Sequence, residues 1–305
     1  MSHMPEPLVS APMTNWTDSL RVYVDITRPR VMALVVFTGL PALLLGQARW
    51  PTLVEAFWIL LGTAFAGGAS SAFNAYIERD LDARMARTRR RPLPAAALMP
   101  TVVLGYGVVL MVTSTIILGV VGGFGAAGIG LATIGFYVCV YTLWLKPRTP
   151  QNIVIGGAAG GTAPLIASAA MSGEVSVGAW ILFLIIFLWT PPHFWGVAIY
   201  RKAEYEAAGF PMMPSVVGDQ GTRWRSLAYT LALVPVTLAP GWLGYLSTMY
   251  TISAALLGIG FVYLVGRSLV EQRPSYDYRV FRGSILYLSV LFLVMFVDLL
   301  AAGVA

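Results

Sequence analysis

Charge is scarce in this sequence. Of its 305 residues only 11% are Asp, Glu, Lys or Arg, whereas 57% are hydrophobic and the mean hydropathy is +0.74. Soluble domains carry about 25% charged residues, so an ordinary water-soluble globule is excluded and an integral membrane protein is expected. Cysteine is scarcer still. Cys139 stands alone in an apolar run, which rules out an intrachain disulfide, a paired-cysteine zinc site and a CxxCH haem attachment. The histidines are His3 and His193. Residues 1–20 are polar and include Glu6 and Asp18, so they read as a tail and lack the apolar core of a cleavable signal. The net charge of +6 would suggest nucleic acid in a soluble chain. Here the positive-inside rule accounts for it, and no nucleic-acid partner is expected.

A helix needs about 20 apolar residues to cross a bilayer. Nine segments qualify, near 31–48, 54–77, 97–119, 125–145, 152–171, 177–199, 226–246, 251–267 and 284–303. Nine spans put alternate loops on one side, and that side then holds every Lys and Arg except Arg49. The bias places the N-terminus in the cytoplasm and the C-terminus outside, as in a bacterial inner membrane. The expected fold is an all-α membrane bundle in a single domain over 21–305. Its two halves, about 21–150 and 151–305, are loosely alike in hydropathy and loop charge.

The chemistry concentrates at the end of the second span, in NAYIERDLDARMARTRRRPLP from 74 to 94. Asn74, Glu78 and Asp82 are spaced by four, and residues four apart on a helix share a face. The result is a stripe of hard oxygen donors about 12 Å long, with room for Mg²⁺, which binds one or two carboxylates together with substrate phosphates. Asp80 points elsewhere on a regular helix and joins the site only if the helix unwinds. A helix end whose acids merely pair with Arg79 and Arg84 is the plain alternative. Uncompensated carboxylates at a membrane boundary are costly, however, and mark functional sites. Six arginines accompany the stripe. Arg87, Arg89, Arg90 and Arg91 first signal topology and contact lipid head groups. Arg84 and Arg87 lie closest to the acids and are the candidate diphosphate ligands. Arg28 in TRPRV, and Lys146 and Arg148 in LKPRTPQN, serve either as such ligands or as interface anchors.

A second polar cluster closes the sixth span, in WTPPHFWGVAIYRKAEYEAAGFPMMP. A histidine inside an apolar span is either a hydrogen-bonded packing residue or a functional group, and His193 could ligate haem iron or hold a propionate. Lys202 and Glu204 are open to reading as a surface pair. If their loop folds over the acidic stripe, Arg201 and Lys202 complete an anion clamp.

These stretches carry a resemblance. Residues 74–82 resemble the first aspartate-rich motif, N-D-x-x-D-x-x-x-D, of the UbiA superfamily of intramembrane prenyltransferases. Asn74 and Asp82 match, Glu78 replaces an aspartate, and Ala75 departs. The superfamily's second motif, DxxxD, would fall at Tyr200 and Glu204, and Tyr200 departs outright. The patterns at 74–93, 141–149 and 193–212, with TRPRVMALVVFTG at 27–39 and NIVIGG at 152–157, resemble the heme O synthase (protoheme IX farnesyltransferase) branch. The resemblance implies a helical bundle around a central cavity open sideways to lipid. It implies a transferase that moves a farnesyl group from farnesyl diphosphate to the 2-vinyl group of haem b, giving haem O for terminal oxidases. Mg²⁺ would be the cofactor, on Asn74, Glu78 and Asp82. The catalytic candidates are Asn74, Glu78, Asp80, Asp82, Lys202 and Glu204. Arg28, Arg84, Arg87, Lys146, Arg148 and Arg201 would bind diphosphate, and His193, Trp195 and Tyr200 would meet the haem. An allylic cation needs a dry aromatic pocket, for which Phe73, Tyr76, Phe136, Tyr137, Tyr141, Trp189, Phe194 and Trp195 are candidates. The implied partners are the bilayer and a downstream haem-modifying enzyme or terminal oxidase. Two alternatives stay open: a related prenyltransferase acting on a quinone precursor or another aromatic acceptor, and a transporter of polyprenyl phosphate or cations.

Overall fold

The computed structural model describes residues 16–85 and 88–302. Most of the polar tail expected over 1–20 lies outside the described residues. Every regular element among those residues is helical. α1 (Trp16–Ile26) and α2 (Pro29–Gly39) are bent against each other by 58°. The cause is local. Pro29 opens α2, and proline disfavours helical geometry in the residue before it. Arg28 takes a left-handed conformation, φ 55 and ψ 62. A short 3₁₀ turn, Pro41–Leu43, follows and is buried in the main core.

α3 (Leu53–Arg84) has 32 residues. It starts with a capping box in which Thr52 and Glu55 satisfy each other's backbone N–H groups, and Arg49 grips Glu55 at 2.7 Å. At a 1.5 Å rise per residue it runs about 48 Å, well beyond the roughly 30 Å hydrocarbon core. Its last turns can therefore hold charge without leaving the helix. α4 (Pro100–Gly135) packs along α3 and passes without a loop into a π-helix, Phe136–Leu145. Gly123 breaks α4 at φ 76, a conformation glycine reaches without steric cost. α5 (Asn152–Gly160), α6 (Thr162–Ser172), α7 (Val177–Tyr200) and the short α8 (Lys202–Ala207) follow. α9 (Met213–Trp242), α10 (Thr248–Glu271) and α11 (Pro274–Ala302) complete the bundle. The largest buried core is shared by α7, α9, α10 and α11, while side chains such as Phe124, Leu53 and Val120 stand exposed. Apolar surface on that scale suits a bilayer and not water.

Among the described residues six helices are long and apolar enough to cross a membrane, or seven if the bent α1–α2 pair is one span. The nine spans expected from sequence are not returned by that test, for two reasons. The expected segments 97–119 and 125–145 count there as one run, yet the chain turns back between them at Gly123: a Cβ on Gly130 would lie 2.9 Å from Leu118 and one on Gly119 3.8 Å from Ala127, so the two segments pack as a hairpin. The first turns of α9 carry Asp219, Arg223 and Arg225, which lower its apolarity.

Candidate active site

The oxygen stripe of α3 faces inward. Asn74, Glu78 and Asp82 are 1%, 4% and 1% exposed. Burying carboxylates is expensive unless they are paired, and each polar side chain here meets a cation from a different part of the chain. Arg28, at the α1–α2 bend, donates to Asn74 Oδ1 at 2.6 Å. Lys146, just past the π-helix, reaches Glu78 Oε1 at 2.5 Å. Arg91, in the loop after α3, holds Asp82 Oδ2 at 2.7 Å. Burial pushes the Lys146 ammonium below its ordinary pKa, and the Glu78 carboxylate opposes that shift. The Lys146 ammonium also lies 4.9 Å from the Phe210 ring centroid and 5.9 Å from that of Tyr141.

The π-helix shapes this wall. Its wider turn lets the Thr142 hydroxyl donate to the Tyr137 carbonyl at 2.9 Å while accepting from Asn74 Nδ2 at 3.2 Å. Such π turns often occur at functional sites. Glycine supplies the clearance, since a Cβ on Gly156 of α5 would collide with the Tyr141 ring. The end of α3 is closed by Thr88, which donates to the Asp82 carbonyl at 2.7 Å. Over that end pack Tyr205, Phe210 and Met212 from the α8 segment, against Met85 and Leu81.

Arg28 lies between two hollows. The larger has an empty volume of about 620 Å³ and extends along α3 from Ser71 to Thr63, with Tyr137 and Thr133 opposite and Gly160 and Ile166 beyond. Its wall includes Val31 of α2, which is itself exposed, so the hollow reaches the protein surface there. The smaller, about 330 Å³, is bounded by Asp25, Asp82, Arg91 and Pro92.

Other candidates stand apart from the stripe. Asp80 has an 80% exposed side chain and pairs with Arg79 at 3.8 Å. The helix is regular there, and two residues turn it by about 200°, so Asp80 faces away from Glu78 and Asp82. Arg84 is exposed, and Arg87 lies outside the described residues. Arg148 is exposed and donates to the Leu143 and Trp144 carbonyls at the end of its own helix. The expected anion clamp is not assembled either. The segment does fold over the end of α3, but Arg201 pairs with Glu204 at 2.8 Å and Lys202 with Asp219 at 3.0 Å. Arg91, read from sequence as a topology signal, is the arginine that meets Asp82. Thr142 belongs to the 141–149 pattern but has no role assigned from sequence, because nothing in the residue letters reports the π turn.

His193 lies between α7 and α11, stacked on Trp189 at 4.2 Å and tilted against Phe281 at 4.7 Å. Its Nδ1 is 2.7 Å from Ser284 Oγ, and that hydroxyl donates to the Phe281 carbonyl. A hydroxyl has one proton to give. Assigned from this bonding pattern, Nδ1 carries the proton and Nε2 keeps its lone pair. From Phe281 the rings continue through Tyr278 to Tyr200, which is 45% exposed. Trp195 is on another face of α7, fully buried against Val154 and Met213. The three haem candidates thus do not converge on one point.

The model of the UbiA prenyltransferase family matches residues 35–299, and the chain belongs to that family. A protein of Parvibaculum lavamentivorans named protoheme IX farnesyltransferase is 45% identical over 284 residues, 92% of this chain and 89% of that one. Two solved structures share the fold. A digeranylgeranylglyceryl phosphate synthase superposes with a TM-score of 0.78 at 16% identity, covering 93% of this chain and 99% of its own. A UbiA homologue from Archaeoglobus fulgidus bound to DMAPP and Mg²⁺ gives 0.65 at 15% identity, covering 90% and 98%.

Proposed function

We propose that this protein transfers a farnesyl group from farnesyl diphosphate to the 2-vinyl group of haem b, releasing diphosphate and yielding haem O. One observation carries the reading. A buried stripe of oxygen donors, each bonded to a cation from a separate segment, lies at the head of an apolar hollow. The protoheme IX farnesyltransferase relative supplies the acceptor.

The residues fit Mg²⁺. Asn74, Glu78 and Asp82 offer hard oxygens on one buried helix face, the donor type Mg²⁺ prefers, and the Archaeoglobus homologue is bound to DMAPP and Mg²⁺. The charges also balance. Arg28, Lys146 and Arg91 exceed Glu78 and Asp82 by one positive charge, and a prenyl diphosphate trianion with one Mg²⁺ carries one negative charge. When bound, Mg²⁺ neutralises the leaving diphosphate.

The chain's own side chains do the rest. Arg28, Lys146 and Arg91 are fixed before substrate arrives, so they stabilise departing charge without reorganising. As the C1–O bond breaks, its electron pair stays on diphosphate. Tyr137 presents an aromatic wall to the allylic cation. The terminal vinyl carbon bonds to C1, and the cation left on the porphyrin side takes hydroxide from water, whose proton leaves. His193 Nε2 is the lone pair available to the haem iron, and the rings from Phe281 to Tyr200 offer a stacking face for its plane. We place the site on the cytoplasmic side of an inner membrane, with the N-terminus cytoplasmic and the C-terminus outside. Residues 21–305 form one catalytic domain. A haem-modifying enzyme or terminal oxidase takes the product.

The test is direct. Purified protein receives Mg²⁺, farnesyl diphosphate and haem b, and the pigments are separated and weighed by mass spectrometry. A haem heavier by one farnesyl and one hydroxyl group is expected. No haem product, with prenylated 4-hydroxybenzoate in a parallel reaction, would move the chain to the quinone branch.

A further inference from the structure

The larger hollow has a measurable depth, and its far end is built from identifiable side chains. Asn74 and Thr142 are bonded to each other across the site, so they mark one level on facing helices. Counting away from the diphosphate end, Thr63 lies eleven residues beyond Asn74, about 16 Å along α3 at 1.5 Å per residue. Thr133 lies nine residues beyond Thr142, and the π turn between them keeps that rise below the roughly 13 Å an α-helix would give. Both line the hollow, and Ile166 of α6 lines it with them. Three extended covalent bonds cover roughly 3.6 Å, so the eleven bonds of a farnesyl main chain need about 13 Å. The roughly 16 Å along α3 holds a farnesyl chain and falls short of the roughly 18 Å that the fifteen main-chain bonds of a geranylgeranyl chain need.

Gly160 stands on the side of this hollow, at the end of α5, and differs from the other glycine on its wall. A Cβ on Gly67 would collide with the Met32 sulfur, so that glycine serves packing. A Cβ on Gly160 would meet no heavy atom within 4 Å, and no positive φ requires glycine there. Gly160 lines the hollow, and the position its side chain would take is open.

We propose that the space kept open at Gly160 and the floor formed by Thr63, Thr133 and Ile166 select the length of the prenyl chain. Gly160 admits the third isoprene unit, and the floor stops a fourth. This rests on the prenyl-transfer reading above. A leucine at 160 projects into the hollow and occupies the volume of the last unit. It costs the fold little, because leucine favours helix over glycine. At the floor, Thr63 and Thr133 each bond only the carbonyl four residues back in their own helix. Replacing both with alanine deepens the hollow without stranding a buried partner. Ile166 is the poorer choice, since it packs against Leu118, Ala126 and Ala169, and truncating a core isoleucine leaves a destabilising cavity.

The experiment measures affinity and product ratio together. Full-length wild type, Gly160→Leu and Thr63→Ala/Thr133→Ala, in nanodiscs with Mg²⁺, are titrated separately with geranyl, farnesyl and geranylgeranyl diphosphate without acceptor. Each is then given haem b and an equimolar mixture of the three. Wild type should favour farnesyl on both readouts. Gly160→Leu should move the geranyl-to-farnesyl ratio toward geranyl at least tenfold, and the double variant should move preference toward geranylgeranyl. Unchanged ratios in a folded Gly160→Leu protein overturn the proposal. If wild type binds farnesyl diphosphate but prenylates no haem, the acceptor reading fails, and the affinities still decide the ruler. If it binds none of the three, both readings fall.

Discussion

Asp82 is the residue on which the site's charge arrangement is most exposed to test. Its side chain meets Arg91, while its backbone carbonyl separately receives the Thr88 hydroxyl. Asp82→Ala therefore removes the carboxylate and leaves the helix terminus bonded. Turnover should fall by about 10²–10³-fold, the usual cost of one preorganised charge-stabilising group, with the detergent elution profile and helical circular dichroism unchanged. Near-normal turnover would remove the metal assignment. At His193 the readout is spectroscopic. With Nε2 as the free nitrogen, His193→Ala should shift the absorbance of bound haem and raise the KM for haem roughly tenfold, the loss of about 1.4 kcal/mol. Affinity for farnesyl diphosphate should not move. An unchanged haem spectrum would assign His193 to packing between α7 and α11.

At the scale of elements, α3 and the π-helix form the site jointly. α3 presents its donors because an α-helix repeats every four residues, and the π-helix brings Thr142 and Lys146 to meet them. Close approach of α5 depends on Gly156. Gly156→Val should push the Tyr141 ring aside at an overpacking cost of about 1–3 kcal/mol. A melt followed by circular dichroism should show an apparent Tm lower by several degrees, and turnover should drop because Tyr141 stands beside Lys146. A variant as stable and active as wild type would show that this wall is not tightly set. The α3 stripe was legible in sequence because its spacing is local. The π turn was not, because its extra residue per turn leaves no mark in an apolar run. Arg91 was hidden for another reason: in a loop, neither period nor spacing predicts where a side chain lands.

On the whole-molecule scale, orientation is the open quantity, and it decides which compartment supplies diphosphate and haem. Cys139 is exposed and is replaced by serine before single cysteines are introduced. Glu174→Cys, between α6 and α7, should react with an impermeant maleimide from outside intact cells, whereas Glu206→Cys in α8 should react only after permeabilisation. The reverse pattern would invert the topology drawn from the arginines. What the residue order determined alone is whatever depends on composition and short-range period: a membrane protein of helices, and three oxygen donors sharing one face at the end of the second long span. Tertiary structure decided which cations complete that face and how deep the hollow behind it runs. Arg28 meets Asn74 across 46 residues and Lys146 meets Glu78 across 68. Such contacts form only when a bend at Pro29 and the packing of the π-helix against α3 bring remote segments together, and no local repeat encodes them.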